Sequence, residues 1–446
     1  MATKSNIQSH RLPPQQIADN FVDLCPPLSA SEAAIEADRC YFCYDAPCVR
    51  ACPTEIDIPM FIQKIRSGNI NGSAKTIFSE NIMGGMCARV CPTEILCEQA
   101  CVRNDHENKP VEIGALQRFS TDPALEDQIQ FFERGAQTGK RVAVVGAGPA
   151  GLSCAHRLAM FGHEVCVFEA RDKLAGLNEY GVAAYKATND IAQREAQYIL
   201  AIGGIEVKTN MVLGVDIDLA GLRDQFDAVF LSIGLASTRQ LDISGEDAEE
   251  VMNAVDYIAN LRQTSDKSEL QVGKRVVVIG GGMTAVDIAV QSKLLGADEV
   301  SIVYRRGPAQ MGASEHEQEL AQTHGINIKH WASPQLIQKE GSRVSGVEFE
   351  STIPQEDGGL NSTDETFIFT ADVVFKAIGQ RLDNVPLDEQ QALELQDGRI
   401  VVDEERRTSL SGVWAGGDCI LDGENLTVSA VQDGKLAAIS INRFLT

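Results

Sequence analysis

Cysteine is the residue type whose spacing says most about chemistry in this chain. Nine of the twelve cysteines precede residue 102, and eight of them form the runs Cys40-x2-Cys43-x4-Cys48-x3-Cys52-Pro53 and Cys87-x3-Cys91-x5-Cys97-x3-Cys101. In the first run, three close thiolates can surround one face of an iron–sulfur cubane, while the cysteine before proline turns toward a second one. The eight thiolates predict two [4Fe–4S] clusters, and zinc bound by paired C-x2-C units is the alternative.

A glycine-rich turn near residue 146 predicts a dinucleotide site. The stretch RVAVVGAGPAGLSCAHRLAMFGHEVCVFEA, from residue 141, has the pattern strand, turn, helix, strand. Backbone N–H groups of such a turn bind a pyrophosphate, and an acid ending the second strand accepts a hydrogen bond from a ribose hydroxyl. A nucleotide-free α/β core is the alternative. The residues assigned to this dinucleotide are Gly146, Ala147, Gly148, Pro149, Ala150, Gly151 and Glu169.

A second unit of the same kind begins at Lys274, with the sequence KRVVVIGGGMTAVDIAVQSKLLGADEVSIVYRR. Tyr304 stands at the acid position and is followed by Arg305 and Arg306, which can pair with a 2′-phosphate or stack on adenine. A solvated strand end is the alternative, and the pattern leaves NAD versus NADP open. The residues assigned to NAD(P) are Gly280, Gly281, Gly282, Met283, Thr284, Ala285, Arg305, Arg306, Ala377, Ile378 and Gly379.

A third turn, Ala415-Gly416-Gly417-Asp418, resembles the segment of two-dinucleotide flavoproteins that directs an aspartate at the flavin's ribityl and pyrophosphate groups. That resemblance implies FAD in the first site and a nicotinamide domain inserted between Gly234 and Gly379. No C-x2-C or C-x4-C lies in this region, which argues against a disulfide reductase. The further residues assigned to FAD are Gly176, Leu177, Lys186, Gly417, Asp418 and Thr427.

The elements that position these residues follow from the same patterns. Helix-forming stretches broken by Cys-Pro and glycine turns predict small helices around the metal, and two βαβ units predict parallel sheets. We expect an α/β chain with a helical two-cluster iron–sulfur domain and two Rossmann-like dinucleotide-binding domains, the second inserted into the first. The predicted boundaries are 1–135 for the [4Fe–4S] domain, 136–244 and 381–446 for the two parts of the FAD domain, and 245–380 for the NAD(P) domain.

Composition excludes several classes of protein. The 446 residues suffice for about three domains. A net charge of −24 argues against binding to nucleic acid or to an anionic membrane surface. The stretch MATKSNIQSHRLPPQQ lacks the apolar core of a signal peptide, and no apolar run predicts a membrane span. We therefore expect a cytoplasmic protein, in which clustered cysteines favour a metal site over disulfides.

Five stretches carry a resemblance to a known family: DRCYFCYDAPCVRACPTEIDIPMFI, GGMCARVCPTEILCEQAC, IGALQRF, VAVVGAGPAGLSCA and VVVIGGGMTAVDIA. On these the whole chain resembles the flavin and iron–sulfur subunits of NAD-dependent dihydropyrimidine dehydrogenases. It is similar, more loosely, to the small subunit of glutamate synthases. The resemblance implies an NAD(P)H-dependent oxidoreductase that carries FAD and two [4Fe–4S] clusters and uses NADH, with NADPH as the alternative.

The resemblance also implies a crossed set of cluster ligands. One cluster would be held by Cys40, Cys43, Cys48 and Cys101, and the other by Cys52, Cys91, Cys97 and Gln117. This set leaves Cys87 without a metal. Residue chemistry alone favours Cys87 over Gln117, because thiolate is the stronger iron ligand, and the eighth ligand stays open at this point.

The function implied by the resemblance is electron input. Hydride carries two electrons and an iron–sulfur cluster accepts one, so a flavin must stand between them, and no catalytic side chain is predicted. The acceptor would be a separate FMN and iron–sulfur subunit that reduces uracil or thymine, because we find no further domain of about 250 residues for an FMN barrel. We expect a hetero-oligomer, in which the acidic surface suits a basic docking face. The alternatives are a glutamate synthase small-subunit-like or general NAD(P)H:acceptor reductase, and a non-redox zinc and flavin scaffold.

Overall fold

The computed structural model describes residues 5–355, 358–382 and 393–446. Its helices are α1 (Pro14–Asn20), α2 (Ala30–Asp38), α3 (Pro47–Arg50), α4 (Ile58–Arg66), α5 (Ile70–Glu80), α6 (Gly84–Val90), α7 (Asn104–Glu107), α8 (Ile113–Glu126), α9 (Pro149–Met160), α10 (Leu177–Tyr180), α11 (Ile191–Leu200), α12 (Leu219–Gln225), α13 (Ala254–Gln263), α14 (Met283–Leu294), α15 (Glu315–Thr323) and α16 (Thr427–Leu445). Its strands are β1 (Arg141–Val145), β2 (Glu164–Phe168), β3 (Ile205–Lys208), β4 (Ala228–Leu231), β5 (Ser237–Thr238), β6 (Val251–Asn253), β7 (Arg275–Ile279), β8 (Glu299–Val303), β9 (Asn327–Lys329), β10 (Ala332–Glu340), β11 (Arg343–Pro354), β12 (Leu360–Thr370), β13 (Val373–Lys376), β14 (Gln380–Arg381), β15 (Leu395–Gln396), β16 (Arg399–Ile400) and β17 (Val413–Ala415).

The chain divides into two compact units, each made of separate stretches of sequence. The first unit contains the described residues of 5–24, 180–188 and 237–381. The second contains those of 25–179, 189–236 and 382–446. The nine cysteines that precede residue 102 and the first glycine turn therefore belong to one unit, and the second glycine turn belongs to the other.

A parallel sheet in the order β17-β4-β1-β2-β3 is the centre of the second unit. Strands β1 and β2 are buried along four of their five residues, as expected of parallel strands that are covered on both faces. Helix α9 starts with Pro149 at its first position, where the absent N–H leaves no hydrogen bond unmade. The glycine turn thus lies at the carboxyl end of the central strand, where nucleotides bind in sheets of this kind.

Seven short helices, α2 to α8, form the helical head of the second unit. Helix α2 begins with a capping box in which Ser29 and Glu32 satisfy each other's backbone N–H groups. Helix α4 buries Ile58, Phe61 and Ile62 on one face, in a hydrophobic core that also contains Cys52, Cys87 and other cysteines of both runs. The thiols are therefore held by packed helices, as predicted.

The first unit is built on a second parallel sheet, in the order β6-β13-β7-β8-β9. An antiparallel sheet, β10-β11-β12, adds to it. Helix α14 follows β7 directly, so the second glycine turn repeats the geometry of the first. The predicted α/β fold class, with helical head and two Rossmann-like sheets, is confirmed.

Two short stretches of the chain pack in a different unit from the rest of their predicted domains. Residues 5–24, predicted to belong to the iron–sulfur domain, lie in the first unit: Ile17 is buried in its core, and Arg11 Nε donates to the Gly296 carbonyl at 3.0 Å. Residues 180–188, predicted within the FAD domain, lie there too. The cause is long-range packing, which a local composition change does not report.

Candidate functional site

Four thiols of the helical head line one cavity. They are those of Cys40, Cys43, Cys48 and Cys101, which we call the first thiol group. The other walls include the apolar side chains of Ile58, Ile62, Val111 and Ile113. Burial, helped by neighbouring Cys40 and Cys101, raises the pKa of the Cys48 thiol to about 12. Thiolates there need a nearby positive charge, which an iron or zinc centre supplies.

Cys52, Cys87, Cys91 and Cys97, the second thiol group, form a neighbouring set. A hydrogen bond with Cys87, burial, and the Cys97 and Cys52 sulfurs raise the pKa of Cys91 well above its usual value. Burial likewise raises the pKa of Cys97. The Cys52 sulfur lies 3.4 Å from the Thr54 hydroxyl. Within the described ranges, no three or more His, Cys, Asp or Glu side chains are arranged to hold a single metal ion.

Gln117, which with Cys87 is one of the two candidates for the eighth ligand, is buried on α8 with its amide fixed. Its Nε2 donates to the Gly84 carbonyl at 2.7 Å, so its nitrogen is engaged and its oxygen is the atom left for a metal. The next two backbone N–H groups, of Gly85 and Met86, donate to Glu195 Oε1 at 2.8 and 3.2 Å. Glu195, which sequence analysis missed, therefore holds the start of α6, the helix that carries Cys87.

The glycine turn after β1 has the backbone that a pyrophosphate site requires. Gly146 has a φ of +101°, and a Cβ on Gly151 would lie 1.9 Å from the Gly146 carbonyl oxygen. Glu169 accepts hydrogen bonds from the N–H groups of Ala147 at 2.8 Å and Arg171 at 2.9 Å. The acid thus orients the turn and retains lone pairs for a ribose hydroxyl.

Most of the other residues assigned to FAD lie against this turn. A Cβ on Gly176 would be 2.9 Å from the Gly148 Cα, and one on Gly417 would be 3.3 Å from the Ala150 Cβ. Leu177 begins α10. The Thr427 hydroxyl donates to Asn178 Oδ1 at 2.7 Å, so Asn178, which sequence analysis missed, links two parts of this site.

Asp418 lies in the turn after β17, where burial raises the pKa of its carboxyl to about 6 against the opposing charge of Arg399. Gly417, with a φ of +79°, donates its N–H to Asp433 Oδ2 at 2.8 Å. Asp433 comes from α16 and was not predicted. The sequence does contain a sign of its role, because Asp433 and Lys435 are charged residues on the otherwise apolar face of that helix.

Lys186 is the one residue assigned to FAD that does not belong to the second unit. It belongs to the first unit, where its ammonium pairs with Asp287 at 2.8 Å and Glu317 at 2.6 Å. Burial opposes the charge, but the two carboxylates raise the pKa of Lys186 above its usual value. The lysine is therefore engaged by two acids of its own unit, which a single sequence does not reveal.

The second glycine turn brings together the residues assigned to NAD(P). Gly280 has a φ of +146°, and a Cβ there would lie 2.1 Å from the Ala377 carbonyl oxygen. Ile378 and Gly379 follow Ala377, and Met283, Thr284 and Ala285 form the first turn of α14. The Tyr304 ring covers Gly281. In the part of the chain that the structure describes, neither Arg305 nor Arg306 has a carboxylate partner, so both guanidinium groups can receive a phosphate.

Two family models and several curated proteins match this chain. Residues 140–434 match the family model "Pyridine nucleotide-disulphide oxidoreductase", and residues 17–129 match "Dihydropyrimidine dehydrogenase domain II, 4Fe-4S cluster". The chain is 34% identical to the NAD-dependent dihydropyrimidine dehydrogenase subunit PreT homolog of Salmonella typhi, over 97% of this chain and 98% of that protein. It is 35% identical to the glutamate synthase [NADPH] small chain of Escherichia coli K12, over 95% and 94% of the two chains.

Solved structures share the fold at low identity. FprA of Mycobacterium tuberculosis in complex with NADPH has a TM-score of 0.58 at 19% identity, covering 68% of this chain and 84% of its own. Thioredoxin reductase of T. acidophilum has a TM-score of 0.53 at 20% identity, covering 68% and 99%. None of the helices in the part of the chain that the structure describes combines the length and the hydropathy of a membrane-spanning segment.

Proposed function

We propose that this chain, which belongs to the pyridine nucleotide-disulphide oxidoreductase family, is the electron-input subunit of a dihydropyrimidine dehydrogenase. Its relatives include the flavin and iron–sulfur subunits PreT and the glutamate synthase small chain. It is an NAD(P)H-dependent flavin and iron–sulfur oxidoreductase. In the proposal it takes hydride from NADH and delivers single electrons, through two [4Fe–4S] clusters, to an FMN-containing partner subunit that reduces uracil or thymine. The partner is inferred from relatives whose names call them subunits.

One observation carries the proposal: both thiol groups and the flavin turns belong to one compact unit. Val428, next to Thr427, packs in the same hydrophobic core as Cys52 and Cys87. FAD, when bound, converts the two-electron chemistry of nicotinamide into the one-electron chemistry of clusters. A unit that holds both kinds of site is what this conversion needs.

The chain's own residues bind and orient the two nucleotides. The amino-terminal end of α9 faces the turn where a pyrophosphate would be held, and Glu169 presents carboxylate lone pairs for the ribose. Gly417 and Asp418 would approach the flavin's ribityl chain from the opposite turn. In the first unit the start of α14 has the same role for the nicotinamide nucleotide.

For the ligands we propose the crossed set. Cys40, Cys43, Cys48 and Cys101 would hold one cluster, and Cys52, Cys91, Cys97 and Gln117 the other. The cavity lined by the first thiol group supports the first half. Support for Gln117 is its engaged amide nitrogen, which leaves the oxygen as donor, and the hydrogen bond that ties Cys87 to Cys91.

The eighth ligand can be tested by iron and acid-labile sulfide analysis of anaerobically purified variants. Gln117→Ala should lower the iron per chain, because one iron loses its donor, while Cys87→Ser should keep it. Retained iron in Gln117→Ala together with lost iron in Cys87→Ser would assign the position to Cys87.

For the coenzyme we propose NADH, with NADPH as the alternative. Gly312, in the loop after Arg306, offers no third cation for a 2′-phosphate, while Arg305 and Arg306 permit one. The name of one relative includes NAD and that of the other includes NADPH. A KM for NADPH well below that for NADH would reverse the choice.

The whole proposal is tested on the purified chain. It should show flavin and iron–sulfur absorption, oxidise NADH with ferricyanide, and leave uracil unreduced until the FMN subunit is added. Reduction of uracil by this chain alone would contradict the division of labour. A yellow protein with zinc and no labile sulfide would favour the non-redox scaffold, and coupling to glutamate synthesis would favour the glutamate synthase alternative.

A further inference from the structure

Three consecutive residues of α16, Asp433, Gly434 and Lys435, contact three different parts of the second unit. Asp433 is 6% exposed and Lys435 is 9% exposed, and Gly434 is buried between them. Aspartate and lysine are rarely buried to this degree unless they are paired. Each of these two has specific partners, and the partners lie at different sites.

Asp433 holds the turn assigned to the flavin. Its Oδ2 accepts the Gly417 N–H at 2.8 Å, and its Oδ1 accepts Arg406 Nε at 2.7 Å. Burial raises the pKa of Asp433, and both hydrogen bonds oppose that rise. Gly417 precedes Asp418, so Asp433 fixes the backbone of the residue pair assigned to the ribityl chain.

Gly434 allows α16 to approach α9, the helix that follows the first glycine turn, at close range. A Cβ at this position would lie 2.1 Å from the Ala150 carbonyl oxygen and 2.9 Å from the Cys154 nitrogen. Ser153 Oγ also donates to the Val431 carbonyl at 2.7 Å. The two helices therefore meet backbone to backbone, with little freedom to slide.

Lys435 reaches the helical head. Its ammonium donates to the Thr54 carbonyl at 3.2 Å and to Glu80 Oε2 at 2.9 Å. Thr54 is fully buried, and its hydroxyl lies 3.4 Å from the Cys52 sulfur. Lys435 of α16 therefore holds the loop that follows Cys52, one of the proposed cluster ligands.

We propose that Asp433-Gly434-Lys435 is a positioning element that fixes the Cys52 loop relative to the flavin turn, and that the Lys435 ammonium raises the reduction potential of the cluster bound through Cys52. The inference rests on the proposed function. Reduction adds negative charge to a cluster, so a fixed cation nearby favours the reduced state, and hydrogen bonds to the sulfurs act in the same direction. Glu80, paired to the same ammonium, opposes the effect of Lys435.

Because Lys435 and Glu80 carry opposite charges, removing one or the other should shift the cluster potential in opposite directions. The experiment uses the full chain, purified anaerobically. Cluster midpoint potentials are measured by potentiometric titration with EPR detection in the wild type, Lys435→Met, Lys435→Arg and Glu80→Gln, alongside FAD, iron and sulfide per chain. In Lys435→Met, one midpoint should fall by an amount equal to about a tenfold change in the reduction equilibrium, about 59 mV for one electron. Lys435→Arg should stay near the wild type, because the charge remains, and Glu80→Gln should raise the same midpoint.

Unchanged midpoints in a fully loaded Lys435→Met protein would overturn the inference, as would equal shifts in Lys435→Met and Lys435→Arg. If Lys435→Met does not fold, Glu80→Gln decides, and a midpoint that stays or falls in that variant contradicts the role of the pair. Failure of the proposed function looks different. A wild type without iron and sulfide has no cluster to titrate, whereas a fully loaded wild type that does not reduce uracil with an FMN subunit contradicts the proposed acceptor and leaves the predicted midpoint shifts as they are.

Discussion

Replacing Glu195 with glutamine should make the protein more stable at neutral and alkaline pH. Glu195 is 1% exposed, and burial raises the pKa of its carboxyl from 4.5 to about 8, although the N–H groups of Met86 and Gly85 oppose the rise. Within the described residues its second oxygen, Oε2, has no hydrogen-bond partner. The folded state therefore favours the neutral acid, while the unfolded chain ionises it near pH 4.5.

The direction and size of the change in the free energy of unfolding follow from this difference between the folded and unfolded pKa of Glu195. Because the folded-state pKa lies above the unfolded value, the stability contributed by the neutral acid is fully present below about pH 4.5 and is lost as pH rises toward about 8. At about 1.4 kcal/mol per pKa unit, the loss amounts to about 3 kcal/mol at pH 7 and about 4 kcal/mol at pH 8. Glutamine keeps a carbonyl oxygen for Gly85 and Met86 and cannot ionise, so the variant lacks this pH-dependent loss.

The assay is thermal unfolding of the wild type and Glu195→Gln at several pH values between about 5 and 8. The two midpoints should lie close together at the acid end and diverge as pH rises, with the variant higher by several degrees at pH 8. Glu206→Gln, which changes an exposed carboxylate of the same unit, is the matched control and should follow the wild type. Parallel pH dependences for the wild type and Glu195→Gln would refute the reasoning.

Three further variants probe other parts of the molecule. Gly434→Ala should lower the free energy of unfolding by about 1–3 kcal/mol and weaken FAD retention, because its Cβ would meet the Ala150 carbonyl; denaturant unfolding measures this, and Gly221→Ala, with ordinary contacts, should change little. Arg305→Ala should raise the KM for NADPH by about tenfold and that for NADH much less, since one charged hydrogen bond is lost; equal changes in initial-rate assays would contradict a phosphate role. Arg11→Ala removes the hydrogen bond to the Gly296 carbonyl and should lower the unfolding midpoint of the first unit by the equivalent of about 1 kcal/mol. An unchanged midpoint would show that residues 5–24 contribute no stability through this hydrogen bond.

The predicted elements that the structure confirms are those whose signals are local. Gly146 and Gly280 adopt positive φ values in strand-to-helix turns, which only glycine adopts at little cost, so the spacing of glycines reports the turn directly. The buried strands before each turn are short apolar runs. Cys40, Cys43 and Cys48 lie within one short stretch, so local chain geometry is enough to bring their thiols near one another.

Contacts between distant parts of the chain are what the sequence pattern does not report. Lys186, assigned to the flavin by resemblance, pairs with Asp287 and Glu317 in the structure. Residues 5–24, predicted within the iron–sulfur domain, pack in the first unit. In each case the partner lies more than a hundred residues away, and its position depends on how the helices and sheets pack.

The sequence by itself determined the kinds of site this protein contains: two groups of thiols, two glycine turns and the acid of the first nucleotide site, because each depends on residue type and short spacing. Only the tertiary structure decided what holds those sites in place. Asp433 and Lys435, two residues apart on one helix, contact Gly417 and Thr54, and Glu195 holds the start of α6. Buried charges need partners, and those partners are supplied by packing between segments that are far apart in the chain.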